Sequence, residues 1–295
     1  MQTFNWIDFR LDKKLMDTRL RATVTTPGWC RTITHILELG VPFEKLEVAE
    51  VGCGSGTYAL AWAFLGAKTT LIDADDEALT IARNAFRLYE VEAEFVKADV
   101  LNIPPKELVG RFHLVASGGL AEHFAGGNRR NCFAFHRALL TKTGIARIGV
   151  PNRFSPFYRM VRGFRELTGT WDLDIEIAYD PDELIRIAEE SGFRRCEVCG
   201  NNFMRKDIWD YSLGMASAFF DAFPALGQPL RKLKGLRRTT MAPQENSASM
   251  LSYEPQPIET TIASSIDLAR QSVGIPWKAR IKDKFSAGLI LHGFT

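Results

Sequence analysis

VAEVGCGSGTY, residues 48–58, decides the reading of this chain. A short apolar strand, Leu46–Val51, runs into glycines at 52, 54 and 56, and a helical stretch, Thr57–Leu65, follows at once. Glycines there let the backbone turn sharply and approach a ligand closely. The helix N-terminus then offers unpaired N–H groups and the positive end of a dipole. The next strand, Thr69–Ile72, leads to Asp73, 17 residues after Gly56, where an acid can accept both hydroxyls of a ribose. That spacing suits a nucleoside.

The kind of nucleoside follows from two departures. A dinucleotide fingerprint is G-x-G-x-x-G/A, whereas here the glycines read G-x-G-x-G and position 57 is Thr. Glu50, just before the loop, would repel a pyrophosphate and attract an ammonium or a sulfonium. S-adenosylmethionine carries both cations.

Outward from the loop, strands and helices alternate. Helices are expected over Asp75–Tyr89, Asn128–Leu140 and from Asp180-Pro181 to Ser191, and strands over Ala93–Val96, Phe112–Ser117, Ile145–Val150 and Arg195–Val198. Such alternation predicts an α/β fold, a doubly wound parallel sheet with helices on both faces. Residues 1–40 read as a helical N-terminal extension, with Thr26 as N-cap, Pro27 at the first helical position and Gly40 as the stop. Residues 41–200 form the Rossmann-like core. Residues 201–284 are read as a helical and loop insert, aromatic at first, basic at 228–238, with a short helix from Ser265. Residues 285–295 supply the last strand, at Ala287–Leu291.

Composition narrows the classes. The 37 Lys and Arg nearly balance 35 Asp and Glu, and a net charge of +2 argues against a chain-wide nucleic-acid surface. Ala59–Leu65, a dense apolar run, has 7 residues where a membrane-spanning helix needs about 20. The first residues, MQTFNWIDFRLDKK, lack the apolar core of a secretory signal, and five scattered cysteines suit a reduced compartment, so a cytoplasmic protein is expected. Cys196 and Cys199 form a lone C-x-x-C in a strand, where period two points them to opposite faces, which disfavours a metal.

With these residues in place, EVGCGSG resembles motif I of the class I S-adenosylmethionine-dependent methyltransferases, in the small-molecule branch called type 11. LIDADDEALTIAR, KADVLNIP and FHLVASGGLAEHF resemble the second, third and fourth motifs, in order, and TGIARIGVPNRFSPFYR and YDPDELIRIAEESGF the stretch around the fifth strand. The resemblance covers about residues 41–200, with 285–295 as the seventh strand of the sheet. It implies that Glu50 and the loop Gly52, Cys53, Gly54 and Gly56 hold the cofactor's amino-acid moiety. Asp73 would bind the ribose, Ala74 would pack on the adenine, and Asp99 with the Val100 N–H would meet the adenine edge. Ser117 and Gly118 would lie along the methionine portion. His113 stands where the family usually has Asp, a departure expected to affect packing.

Methyl transfer is an in-line displacement that needs alignment and dryness, and a base only when the acceptor must lose a proton. His123 is the candidate base, with Glu122 beside it to orient the imidazole or the substrate. The fourth strand ends S-G-G-L, without the motif of amino-methylating nucleic-acid enzymes, and no Pro-Cys occurs, so a small-molecule acceptor is expected. The Arg-rich, aromatic stretch 151–171 and the segment 214–238 would suit a lipid-like or anionic acceptor or a peripheral membrane contact; the plainer alternative is an amphipathic lid. Two other classes stay in view: a methyltransferase-like binding protein without turnover, and a nicotinamide oxidoreductase, which Thr57 and Glu50 disfavour.

Overall fold

The computed structural model describes residues 12–169, 171, 176–201, 256–271, 273 and 286–295. Seven strands are found among them: β1 (Glu47–Val51), β2 (Lys68–Asp73), β3 (Glu94–Lys97), β4 (Phe112–Gly118), β5 (Leu140–Pro151), β6 (Arg195–Gly200) and β7 (Gly288–Phe294). They form one sheet in the order β3-β2-β1-β4-β5-β7-β6. Neighbours from β3 through β5 pair in parallel. The all-parallel expectation fails at the far edge: β7 lies between β5 and β6 and runs antiparallel to both. β7 starts beside the ends of β5 and β6, where Asn201 N donates to Gly288 O at 2.9 Å, so the last strand runs back between them and closes a mixed sheet.

Helices cover both faces. On one lie α1 (Lys13–Val24), α2 (Pro27–Leu39), α3 (Thr57–Ala63), α4 (Asp76–Leu88) and α8 (Ile258–Arg270); α5 (Gly127–Leu139) and α7 (Pro181–Glu190) cover the other. Between β5 and α7 comes α6 (Pro156–Leu167), which sequence periodicity did not single out. Its caps are local: Ser155 Oγ accepts from Tyr158 N at 3.2 Å, and Pro156 sits at the first helical position.

The N-terminal extension is part of the sheet's own packing. Thr26 Oγ1 accepts from Trp29 N at 3.1 Å, and Gly40 ends α2 with φ +68°. Gly28 lets α2 settle onto β7, because a Cβ there would come within 2.7 Å of Ile290 Cγ1. The helix expected from Ser265 begins seven residues earlier, at Ile258. Ser265 instead lies mid-helix, where its Oγ accepts from Trp29 Nε1 at 2.9 Å. Of the insert 201–284, this helix is thus a core element against α1 and α2; the basic run 228–238 and the segment 214–238 lie outside the described residues. No described helix is long and apolar enough to cross a membrane.

Candidate active site

The glycine loop sits where β1 hands over to α3. Gly52, Gly54 and Gly56 take φ of +63°, +49° and +70°, a region that favours glycine. At Gly56 a Cβ would lie 2.5 Å from Leu71 Cδ2, so side-chain-free backbone is required on packing grounds as well. Gly52 N and Cys53 N donate to Ile72 O at 2.8 and 3.2 Å, tying the loop to β2.

Asp73, at the end of β2, braces the same loop. Its Oδ2 accepts from Gly54 N at 3.1 Å and its Oδ1 from Asp75 N at 3.1 Å. The capping of α4 falls to Asp75, whose Oδ1 accepts from Glu77 N at 2.9 Å. Asp73 is therefore no helix cap, and each of its oxygens keeps a further lone pair for a ligand. Ala74 is exposed beside it. At the end of β3, Asp99 is exposed, with Oδ1 accepting from Leu101 N at 2.9 Å, and Val100 is buried. His113 accepts from Glu47 N at 3.1 Å through Nδ1, so the departure from Asp serves the β1–β4 junction.

Glu50 is buried on the sheet, its Oε2 accepting from Ala59 N at 2.8 Å in α3. Burial pushes its carboxyl up to about 8, against the pull of that N–H and of Arg147. Cys53 is buried beside it, its thiol pushed far up by burial and by the Glu50 and Asp73 carboxylates, which leaves it inert. Ser117, buried, and Gly118, exposed, end β4.

A cleft of about 380 Å³ opens over these strand ends, lined by Glu50, Thr57, Tyr58, Ser117, Gly118 and Arg147 among others. Glu50, Ala116 and Arg147 are register partners on β1, β4 and β5, so all three side chains rise on one face. Ala116 is the low floor between two charged walls. Arg147, Tyr58 and Asn201 of this cleft were not among the residues expected from sequence; the available signal was an arginine inside the apolar strand IARIGV (145–150).

The two candidate catalytic residues sit elsewhere. His123, half-buried, and Glu122, buried, share a tight turn, Ala121–His123, beyond β4, and neither lines the cleft. Burial pushes Glu122 up to about 8, with the Glu176 carboxylate adding to the shift and Arg129 opposing it. Those neighbours place it toward α5, away from Glu50.

The matched region agrees with this geometry. Residues 48–144 match the family model described as a methyltransferase domain. Among solved structures the chain is similar to a candidate methyltransferase from Bacillus halodurans C-125, with TM-score 0.50 and 17% identity over 90% of this chain and 98% of that one. It is also similar to a SAM-dependent methyltransferase from Thermotoga maritima (TM-score 0.48, 14% identity, 90% and 88% of the two chains). A third is magnesium protoporphyrin IX methyltransferase from Synechocystis PCC 6803 (TM-score 0.47, 14% identity, 65% and 84%). At such identities the first likeness speaks for the fold. A search of curated proteins by sequence returns no match. The glycine loop, Glu50 and Asp73 all fall inside residues 48–144, the segment that matches the methyltransferase-domain model.

Proposed function

We propose that this protein transfers a methyl group from S-adenosylmethionine to an oxygen, nitrogen or carbon centre of a small-molecule acceptor. The observation that carries the reading is the cleft of about 380 Å³ beside the glycine loop, which shares Glu50, Ser117 and Gly118 with the residues expected to hold the cofactor. Its volume matches a small ligand fragment.

The residues present fit that cofactor. Glu50 takes an ammonium, the backbone of Gly52, Cys53, Gly54 and Gly56 admits the amino-acid end, and Asp73 takes the ribose hydroxyls through its remaining lone pairs. Ala74 offers a face for adenine, Asp99 and the Val100 N–H an edge, and Ser117 and Gly118 flank the methionine portion. The cofactor supplies an activated methyl on a sulfonium. The protein's own work is alignment and exclusion of water. Where the acceptor must lose a proton, His123 is the base in this reading, with Glu122 beside it to orient the imidazole or the substrate; both stand on the turn Ala121–His123 beyond β4.

Calorimetry with S-adenosylhomocysteine tests the cofactor, and methyl label passed from S-adenosylmethionine into extract metabolites tests turnover. Absence of binding heat removes the whole reading; binding without transfer leaves a cofactor-binding protein.

A further inference from the structure

The charged walls of the cleft belong to a longer row. Register pairing aligns Glu50, Ala116, Arg147, His292 and Glu197 across β1, β4, β5, β7 and β6, all on the face covered by α2 and α3. Each step is about 4.8 Å, so Glu50 and Arg147 stand about 10 Å apart at the backbone, with Ala116 between them.

Arg147 is 8% exposed, and burying a guanidinium requires compensation. Little is available within the row. Among the described residues Arg147 makes one hydrogen bond, Nη1 to Ser117 O at 2.9 Å, although a guanidinium carries five N–H donors. Its Nε has no described partner. The Tyr58 ring lies 4.8 Å from Cζ. On the outer side, burial holds His292 well below its ordinary value and so neutral. Glu197 beyond it is already engaged, at 2.8 Å by Arg31 and 3.2 Å by His35. On the inner side, burial pushes the Glu50 carboxyl up to about 8, so it gives Arg147 little counter-charge near neutral pH, and an ammonium arriving there claims what it gives. Arg147 is then a buried cation facing an open cleft, near Asn201, whose buried Oδ1 has no described hydrogen-bond partner.

We propose that Arg147 receives a carboxylate or phosphate carried by the methyl acceptor, so that the substrates are acidic small molecules. The proposal rests on the methyltransferase reading above. The placement favours the acceptor over the cofactor as the source of the anion, because Arg147 stands on the wall two strands away from the glycine loop. A planar fork of donors at a fixed height above Ala116 would then set which end of the acceptor faces the transferred methyl.

The test uses the full chain with Arg147→Met and Arg147→Lys. Extract metabolites are split on an anion-exchange resin into retained and unretained pools and incubated with methyl-deuterated S-adenosylmethionine. Wild type is expected to label the retained pool. Arg147→Met should lose that label at least tenfold at saturating S-adenosylmethionine, with S-adenosylhomocysteine affinity falling by less than tenfold, a loss that comes through Glu50, whose carboxylate Arg147 stabilises. Arg147→Lys should keep the nucleoside affinity and raise KM for the retained pool. Should the Met variant misfold and bind no nucleoside, the Lys variant decides, and an unchanged KM overturns the proposal. Label entering the unretained pool overturns it too. So does a tenfold loss of S-adenosylhomocysteine affinity in Arg147→Met with 5′-methylthioadenosine affinity unchanged, which assigns Arg147 to the cofactor's carboxylate instead. A wild type that binds the nucleoside and labels neither pool overturns turnover itself, and the proposal with it.

Discussion

Glu50→Gln separates the charge of this side chain from its shape. In the free protein the carboxyl is buried, pushed up to about 8, and holds Ala59 N at 2.8 Å. At pH 7 about one such carboxyl in eleven is ionised, so a ligand that needs the carboxylate must draw a proton off, at about 1.4 kcal/mol. Wild-type affinity for S-adenosylhomocysteine should therefore rise about tenfold from pH 6 to pH 7, with close to one proton released per binding event. Glutamine cannot ionise, so the slope disappears. The Gln variant also loses a charge-assisted hydrogen bond, about 1.5–3 kcal/mol gross, and its deficit against wild type widens as pH rises. Stability moves the other way. The folded pKa lies above the ordinary 4.5, so the folded state binds more protons than the unfolded one between pH 4.5 and 8. Stability is thus full below pH 4.5 and falls as pH rises toward 8, and Gln escapes that loss. Calorimetry in two buffers of different ionisation enthalpy, with thermal denaturation alongside, reads both effects. A wild-type affinity flat between pH 6 and pH 8, without proton release, would refute the reasoning.

Three further predictions follow from neighbouring geometry. Asp73→Ala should weaken S-adenosylhomocysteine binding by about 1–3 kcal/mol, whereas Asp75→Ala should lower stability by about 1 kcal/mol through the lost cap and leave affinity alone; equal effects on binding would contradict the division seen in the hydrogen bonds. His136, fully buried with Nδ1 2.7 Å from Cys132 O, has its pKa lowered to about 4 by burial. Its contribution is present above pH 6.5 and lost as pH falls toward 4, about 2 kcal/mol by pH 5, and urea denaturation of His136→Leu should show that component of the acid sensitivity gone. His123→Ala should cut turnover by about 10²–10⁴ with nucleoside affinity unchanged if His123 is the base; full activity in the variant would remove it from the reaction.

The parts legible in the sequence are those fixed by neighbours in the chain. Thr26-Pro27, Asp180-Pro181 and the glycine loop each carry their own start or turn chemistry, and each sits where that chemistry directs. Ala287–Leu291 was legible as a strand by composition, but its direction was not. Insertion of β7 between β5 and β6 is decided by contacts with residues about 90 to 150 positions away. The start of α8 was misplaced for a related reason: Pro257 precedes its first turn, while the Ser and Thr within it read as loop residues, although Ser265 has Trp29 to bind.

Arg147 shows why a site can be half-read. Within IARIGV an arginine is only an anomaly, since one sequence position says nothing about what stands beside it. Register supplies the missing term. Once β1, β4 and β5 are aligned, the acid that motif I placed at position 50 and the unexplained arginine become the two walls of one cleft, and the small side chain of Ala116 becomes its floor. Each charge would be expensive to bury alone. Filling the floor should therefore weaken binding: Ala116→Val places two methyl groups between Glu50 and Arg147, at a residue that lines the cleft but is 1% exposed, and thermal denaturation alongside separates the binding effect from a packing cost of about 1–3 kcal/mol. An unchanged affinity for nucleoside and acceptor in that variant, measured by the same calorimetry and labelling, would mean that the space above Ala116 is not where the ligands meet.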